Sequence, residues 1–396
     1  MTVRVSKPEF NLREKLSELD KPVGLKGSEL LKSETAQDVR NLVNAGRKNI
    51  VINGDFRIAQ RATTHNSSGH RTVDRFKMNA SGANATLTQS QHALSSSDAP
   101  YSHGFRYSYH LNNAGQNAYT QGYLYLQYHV EAQDMAYSGW NYKSTSSYLT
   151  LSFWVKSSIS HTFIFTFYTS DGTPQDYNVL FPVQADKWKK IILTVPGDPD
   201  ITFDNNNDYG LQLMFNPYMG SHYTSGSSVN RWQNHAGYTS RPDMDDKWWK
   251  TASTFEITGV QLEVGQNATE FEHRSYGEEL SLCQRYFFNV KGDNNHRSGI
   301  PGYANSTTEL RACVQFPVPM RVSPTVSGTA TAMVFDAQDD SASFNCSTLS
   351  AGGSLTNTSP HMMVIETTTS GMTNGQAGTL EFRAANGSIN FDAELA

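Results

Sequence analysis

Several things are scarce in this chain. It has three cysteines in 396 residues, Cys283, Cys313 and Cys346, an odd number with no Cys-x-x-Cys step. That pattern excludes a disulfide scaffold and thiolate zinc or redox chemistry, and predicts buried free thiols in a reducing cytoplasm. Charged residues make up only 17% of the chain, with a formal charge of −5 and no basic block. Nothing in this pattern favours nucleic acid or an anionic membrane as a partner. No apolar run approaches the roughly 18 residues of a membrane-spanning helix. The start, Met1-Thr-Val-Arg-Val-Ser-Lys-Pro-Glu-Phe10, lacks the apolar segment of a signal peptide. The expectation is a soluble protein not exported by such a peptide.

Catalytic signatures are missing too. There is no Gly-x-Ser-x-Gly elbow, phosphate loop or dinucleotide glycine fingerprint, and the twelve histidines form no His-Glu-x-x-His pair. The chain is expected not to be an enzyme and to need no cofactor or catalytic metal. Asp198, Asp200, Asp204 and Asp208 offer oxygen ligands for a structural calcium, but their spacing lacks the glycine and closing glutamate of a calcium loop. Asx turns explain them equally well. Glu131 with Asp134, and Asp243 with Asp245 and Asp246, lie close in sequence and read as solvated loop charges. A glycan-cleaving carboxylate pair is the alternative reading for them.

What is abundant is aromatic and small polar. Aromatics reach 11%, and Ser, Thr, Asn and Gly separate short segments that alternate apolar and polar residues, a mainly β pattern. Tyr148 to Val155 alternates Leu149, Leu151, Phe153 and Val155 on one face. Thr162 to Tyr168, Lys187 to Val195, and Tyr209 to Phe215 behave alike. In Thr254 to Leu262 the inward parity changes from Phe255 and Ile257 to Val260 and Leu262, which predicts a bulge near Gly259. Residues 49–273 therefore read as a large antiparallel jelly-roll β-sandwich. A linker helix over 274–284, starting near Ser275, leads to a small C-terminal β-sandwich over 285–396. Its expected strands are Tyr286 to Val290, Leu310 to Phe316, Thr325 to Val334, Ser341 to Cys346, His361 to Thr367 and Leu380 to Ala384. Gly352-Gly353, Asn374-Gly375 and Asn386-Gly387 supply its turns.

Residues 1–48 differ in composition. A capping box at Thr35 to Asp38 predicts a short helix ending near Gly46, with Val39, Leu42 and Val43 as a narrow apolar stripe. Such a stripe cannot bury itself, so this segment reads as an arm that docks on something else.

Two stretches break the strand rhythm. One is residues 79–104. The other is residues 216–250, dense in aromatics with Tyr218, Tyr223, Trp232, Tyr238, Trp248 and Trp249. Sugar rings stack their apolar faces on exposed Trp and Tyr while nearby polar groups bind the hydroxyls. Trp140, Tyr142, Trp232, Trp248 and Trp249 are the candidates for such a glycan site. The competing reading is that Trp140, Trp248 and Trp249 pack the sandwich or a subunit interface.

The junction Ile257-Thr-Gly-Val-Gln-Leu-Glu-Val-Gly-Gln-Asn-Ala-Thr-Glu-Phe271-Glu-His-Arg-Ser-Tyr-Gly-Glu-Glu-Leu-Ser-Leu-Cys-Gln-Arg-Tyr-Phe287 resembles one found in phage tail-fibre and other virion appendage proteins. Asn49-Ile-Val-Ile-Asn-Gly-Asp-Phe56, Thr72-Val-Asp-Arg-Phe76 and Val314-Gln-Phe-Pro-Val-Pro-Met-Arg-Val-Ser-Pro324 add to it in the same order. The resemblance covers the framework from about residue 49 to 325. It implies a carbohydrate-binding-module-like jelly roll over 49–273, in a virion protein of a short-tailed marine or cyanobacterial phage, assembled in the host cytoplasm. A tail fibre of this kind would bind a host-surface glycan during adsorption, form a homotrimer, and attach through residues 1–48 to tail adaptor or nozzle proteins. Alternatives are a head fibre or capsid decoration protein with the same module, and a tailspike-type polysaccharide depolymerase.

Overall fold

The structure is a computed structural model that describes residues 48–395 apart from 84, 225–227, 238–240, 293–298, 338–342, 353–358 and 383–386. The expected arm helix with Val39, Leu42 and Val43 lies outside the described residues, as do Tyr238, Gly353 and Asn386. From Asn49 onward the described residues belong to one compact unit.

Period-two segments become strands here because alternate side chains can share one buried face. The first sandwich contains β1 (Thr64–His65), β2 (Phe76–Ser81), β3 (Leu87–Ala93), β4 (Tyr107–Ala114), β5 (Tyr123–Glu131) and β6 (Tyr148–Ser157). It continues with β7 (His161–Thr169), β8 (Gln175–Val183), β9 (Lys189–Pro196), β10 (Tyr209–Met219), β11 (Trp232–Asn234) and β12 (Ala252–Val264). One antiparallel sheet runs β1-β3-β4-β12-β6-β9 and the other β11-β8-β7-β10-β5-β2. Between them lies an aromatic core. Phe153, Phe165 and Phe215 meet edge-on or tilted, with Phe165 and Phe215 rings 4.9 Å apart. Short helices α1 (Ala132–Ala136) and α2 (Lys247–Lys250) close loops of this sandwich, and α3 (Tyr276–Gln284) follows it.

The second sandwich comprises β13 (Phe287–Lys291), β14 (Ile300–Ala304), β15 (Glu309–Gln315), β16 (Thr325–Gly328) and β17 (Met333–Ala337). After these come β18 (Ser343–Asn345), β19 (Ser350–Ala351), β20 (Met362–Thr368), β21 (Ala377–Phe382) and β22 (Ser388–Asp392). Its sheets run β13-β22-β16 and β18-β17-β21-β14-β15-β20-β19. Leu310, Ala312 and Val314 of β15 share its core with Met363, Ile365, Phe391 and Ile389. Mainly β architecture in antiparallel sandwiches is therefore the fold class.

Some local expectations need correction. Residues 79–104 are not an interruption: β3 lies inside them and pairs with β4 from Leu87 opposite Asn113 to Ala93 opposite Tyr107. Thr325 to Val334 is not one strand, because a 3-10 turn at Ala330–Ala332 separates β16 from β17. Cys283 and Cys346 are buried, whereas Cys313 points outward from β15 and is exposed.

The bulge is where parity placed it. The pairing of β12 with β6 shifts between Thr258 and Gln261, and Gly259 has φ +65°. The helix α3 starts at Ser275, whose side chain accepts from the Glu278 N–H. Beyond it, Tyr286 and the C-terminal segment lock the two sandwiches together. Glu131 receives both Arg285 Nε and Nη2 at 2.9 Å and the Tyr286 hydroxyl at 2.5 Å. Burial works against its charge, yet these donors hold its carboxyl below the usual range. Glu131 is thus a buried interdomain anchor and not a solvated loop charge.

Candidate functional site

The outer face of the second sheet carries a groove of about 580 Å³, within the usual range for small-ligand sites. Its floor follows from strand alternation. In β5, Leu124, Leu126, Tyr128 and Val130 enter the core, leaving Tyr123, Tyr125 and Gln127 on the opposite face. Cross-strand register places Gln212 of β10 beside Tyr168 of β7, and Met214 beside Gln127. The chain after β10 supplies a wall of Tyr223, His235, Gly237 and Arg241, held partly by a bridge between Thr224 and Arg241.

Aromatic rings stand at both ends. Tyr123 and Tyr125 lie 5.5 Å apart with planes tilted 30°, and Tyr223 meets Tyr123 edge-on at 5.4 Å. Tyr168 meets His235 edge-on at 4.9 Å. Burial pushes the Tyr125 phenol up to about 12 and also raises that of Tyr168. Both therefore stay protonated near neutral pH, able to donate as well as accept.

Between the rings runs a row of oriented amides. Asn79 Nδ2 donates to Gln127 Oε1 at 2.9 Å, Gln127 Nε2 donates to Gln212 Oε1, and Gln212 Nε2 donates to Ser170 Oγ at 2.9 Å. An amide in such a chain still has a second N–H and a carbonyl lone pair to offer. Arg241 is buried, with Nη2 3.3 Å from Met214 Sδ and Nη1 3.8 Å from Asp176 Oδ2. Burial lowers the Arg241 pKa, and Asp176 offsets this only in part. Asp176 lies beneath the groove surface, accepting from Gln233 at 2.8 Å and Asn178 at 3.1 Å, and it fixes His235 through Nδ1 at 3.0 Å. Among the described residues, no Asp or Glu lines the groove.

The candidates chosen from sequence lie elsewhere. Trp248 and Trp249 are both 0% exposed, so neither has a ring face for a sugar. Their α2 turn is clamped from below by Asn113, whose Nδ2 donates to both carbonyls at 2.9 Å, and Trp249 stacks on Tyr218 at 4.5 Å. Trp140 is buried and donates Nε1 to Ser147 O at 3.2 Å, while half-buried Tyr142 packs edge-on against Phe203 at 4.9 Å. Trp232 is half-buried on the edge strand β11, with its N–H on Pro196 O at 2.7 Å and its ring 5.4 Å from Tyr177. None of the five lines the groove.

The groove residues missed from sequence had a partial signal. Tyr123-Leu-Tyr-Leu-Gln alternates visibly, yet only the sheet order brings β5, β10 and β7 side by side. The acidic turns also have a structural explanation. Asp200 N–H donates to Asp198 Oδ1 and Asp208 N–H to Asn206 Oδ1, both at 3.0 Å. Asn207 then docks on Arg321 through two 2.8 Å hydrogen bonds. Among the described residues, no group of three His, Cys, Asp or Glu is placed to hold a metal.

Comparison with known proteins gives no match to a family model and none to a curated protein. Among solved structures, the chain is similar to the enzymatically active domain of tailspike protein 4 of bacteriophage CBA120. That match has 11% identity and a TM-score of 0.32, covering 55% of this chain and 21% of that one. It is also similar to the N-terminal cellulose-binding domain of Cellulomonas fimi β-1,4-glucanase C, at 10% identity and TM-score 0.25 over 48% of this chain and 89% of that one. A cyclase from Fischerella sp. TAU matches at 8% identity and TM-score 0.33 over 57% of this chain and 100% of that one. The chain thus spans about a fifth of the tailspike domain's length. A cellulose-binding domain, an enzymatically active tailspike domain and a cyclase all occur among these likenesses, which at such scores carry no argument.

Proposed function

We propose that this protein binds a glycan in the tyrosine groove without cleaving it. The observation that carries the reading is the convergence of Tyr123, Tyr125, Tyr168 and Tyr223 with the Asn79-Gln127-Gln212 amide row on one concave face. Pyranose rings present apolar faces to aromatic side chains and hydroxyls to amides, so this mixture suits an oligosaccharide. Hydrolysis by the usual two-carboxylate route needs a pair of acids flanking the bond. The described lining offers none, which favours binding over depolymerisation. The test is a microarray of bacterial surface polysaccharides followed by calorimetry. Tyr125→Ala and Tyr168→Ala should each weaken the recognised glycan by about 1–3 kcal/mol, as loss of a central aromatic does. Absence of any glycan ligand, or affinity untouched by both changes, would end the reading.

The resemblance at Gln261 to Phe287 extends the proposal to biology. The chain is then a virion appendage, with a tail fibre preferred to a head fibre, that adsorbs to host glycan as a homotrimer. Residues 1–48 are its attachment to tail adaptor or nozzle proteins. Deleting them should leave a folded β protein that no longer joins particles, while normal incorporation would refute the docking role.

A further inference from the structure

We propose a second carbohydrate site, specific for an anionic pyranose, on the outer face of the other sheet around Trp154. It stands independently of the tyrosine groove, since the two sites lie on different sheets and share no residue.

The chain has six tryptophans, and five of them direct the indole N–H to a partner. Trp140 donates to Ser147 O, Trp188 to Asp98 Oδ1, Trp232 to Pro196 O, Trp248 to Thr254 O and Trp249 to Asn117 O. Trp154 is the exception: its N–H has no acceptor among the described residues. The ring is half-buried on β6, outside the alternation that sends Phe153 and Val155 into the core. It borders a pocket of about 300 Å³ lined also by Ser102, His103, Phe105, Ser152, Lys190, Gly259, Glu270, Phe271 and His273. That volume suits one or two sugar units rather than a chain.

The walls are fixed before any ligand arrives. Phe105, Phe271 and His273 pack mutually at ring distances of 4.9 to 5.3 Å. His273 Nε2 is 3.0 Å from His103 O, which ties this wall to the segment ending at His103. The Gly259 bulge makes room for Phe105, because a Cβ at Gly259 would sit 2.6 Å from the Phe105 ring. Preorganised walls spare a ligand the entropy of ordering them.

The uncommitted groups are chiefly donors. Lys190 pairs in register with Trp154 across β9 and β6, is exposed, and forms no ion pair among the described residues. The Ser152 hydroxyl and the His103 imidazole make no hydrogen bond there either, and the His103 ring lies 5.2 Å from Trp154. An aromatic plate beside an ammonium, an indole N–H and a hydroxyl calls for a ligand with a flat apolar face and a negative acceptor group. A pyranose bearing a carboxylate has both, with its ring over Trp154 and its carboxylate at Lys190.

The experiment uses the full chain titrated with D-glucuronate, and with D-glucose as the neutral comparator, following Trp154 indole Nε1–H by NMR. Glucuronate should shift that resonance saturably and bind at least fivefold tighter than glucose. Lys190→Ala, at an exposed position, should abolish the preference while leaving thermal unfolding unchanged, and Trp154→Phe, which removes that resonance, should weaken glucuronate several-fold by calorimetric titration. Tyr125→Ala should leave glucuronate binding intact, which separates failure here from failure of the groove. No saturable shift, equal affinity for the two sugars, or indifference to Lys190→Ala would each overturn the proposal.

Discussion

Arg75 and Glu394 form an ion pair between residues 319 positions apart in sequence, with side chains only 1% and 3% exposed. The Tyr286 ring lies 3.3 Å from the Arg75 guanidinium carbon, and Arg75 Nη2 also donates to His129 O at 2.7 Å. The last segment of the chain thereby closes onto the first sandwich. Arg75 holds φ +73°, a left-handed conformation unusual for a side chain of its size. A buried charge left without its partner is costly, so Glu394→Ala should destabilise by about 3–5 kcal/mol in chemical denaturation. Replacing both charges, as Arg75→Met with Glu394→Leu, should cost less than Glu394→Ala alone. A double variant that is the less stable of the two would refute this account of the junction.

The same junction sets the response to acid. Burial, reinforced by nearby cationic side chains, pushes the His70 and His129 imidazoles well below 6.5. The unfolded chain therefore binds their protons first, and stability falls as pH drops below about 6.5. Asp74 opposes them. Burial raises its carboxyl to about 6 from 3.8, with Arg61 only partly compensating. Protonation of Asp74 favours the folded state between those values, so its contribution grows as pH falls. Burial also lowers His110 and His161 and raises Asp55, Asp134, Asp171 and Glu279, none of them as far as these three. With two strongly depressed histidines against one strongly raised aspartate, the thermal midpoint should decline from pH 7 to pH 5. His129→Phe should flatten that decline, because the ring edge against Tyr209 at 4.8 Å survives without the titrating nitrogen. An unchanged slope in that variant would remove His129 from the explanation.

Legibility differed from element to element for physical reasons. The Gly259 bulge and the Ser275 cap were readable because each is written locally, one as a parity change and one as a capping residue before a helix. The strand β3 was not. Its inward Gln89 is buried and satisfied by Thr72 and Tyr109, so hydropathy marks it as loop although its hydrogen bonds mark it as core. Aromatic density in residues 216–250 pointed to a ligand site, but a one-dimensional reading cannot tell a ring on the surface from one clamped by Asn113 far upstream. The groove itself needs β5, β10 and β7 as neighbours, and that order is a property of the sheet.

Gly259→Ala tests how far the bulge is required. The residue sits at φ +65°, and the added methyl would lie 2.6 Å from the Phe105 ring. Strain at a left-handed position alone costs about 1–3 kcal/mol, and displacement of Phe105 adds to it. The expected result is a lowered urea midpoint with an unchanged slope, together with altered Phe105 and Phe271 ring resonances. A midpoint equal to that of the parent chain would show that the bulge tolerates a side chain.

Trp249 and Tyr125 should separate folding from recognition. Trp249 is fully buried, stacks on Tyr218 with planes only 12° apart, and gives its N–H to Asn117 O at 3.0 Å. Truncating such a residue leaves a cavity and removes a satisfied donor, so Trp249→Ala should lower stability by about 3–5 kcal/mol. Tyr125 lies on the outer face of β5, where Tyr125→Ala removes a groove wall and leaves Leu124 and Leu126 in the core. Its effect should fall on glycan affinity, with the melting temperature nearly unchanged. Calorimetric titration and thermal unfolding of both variants give four numbers whose pattern is fixed in advance. If Trp249→Ala stays fully stable and loses glycan binding, the Trp248-Trp249 turn is the recognition surface after all. If Tyr125→Ala unfolds as readily as Trp249→Ala, the groove tyrosines belong to the scaffold, and the recognition site must be sought elsewhere on the protein.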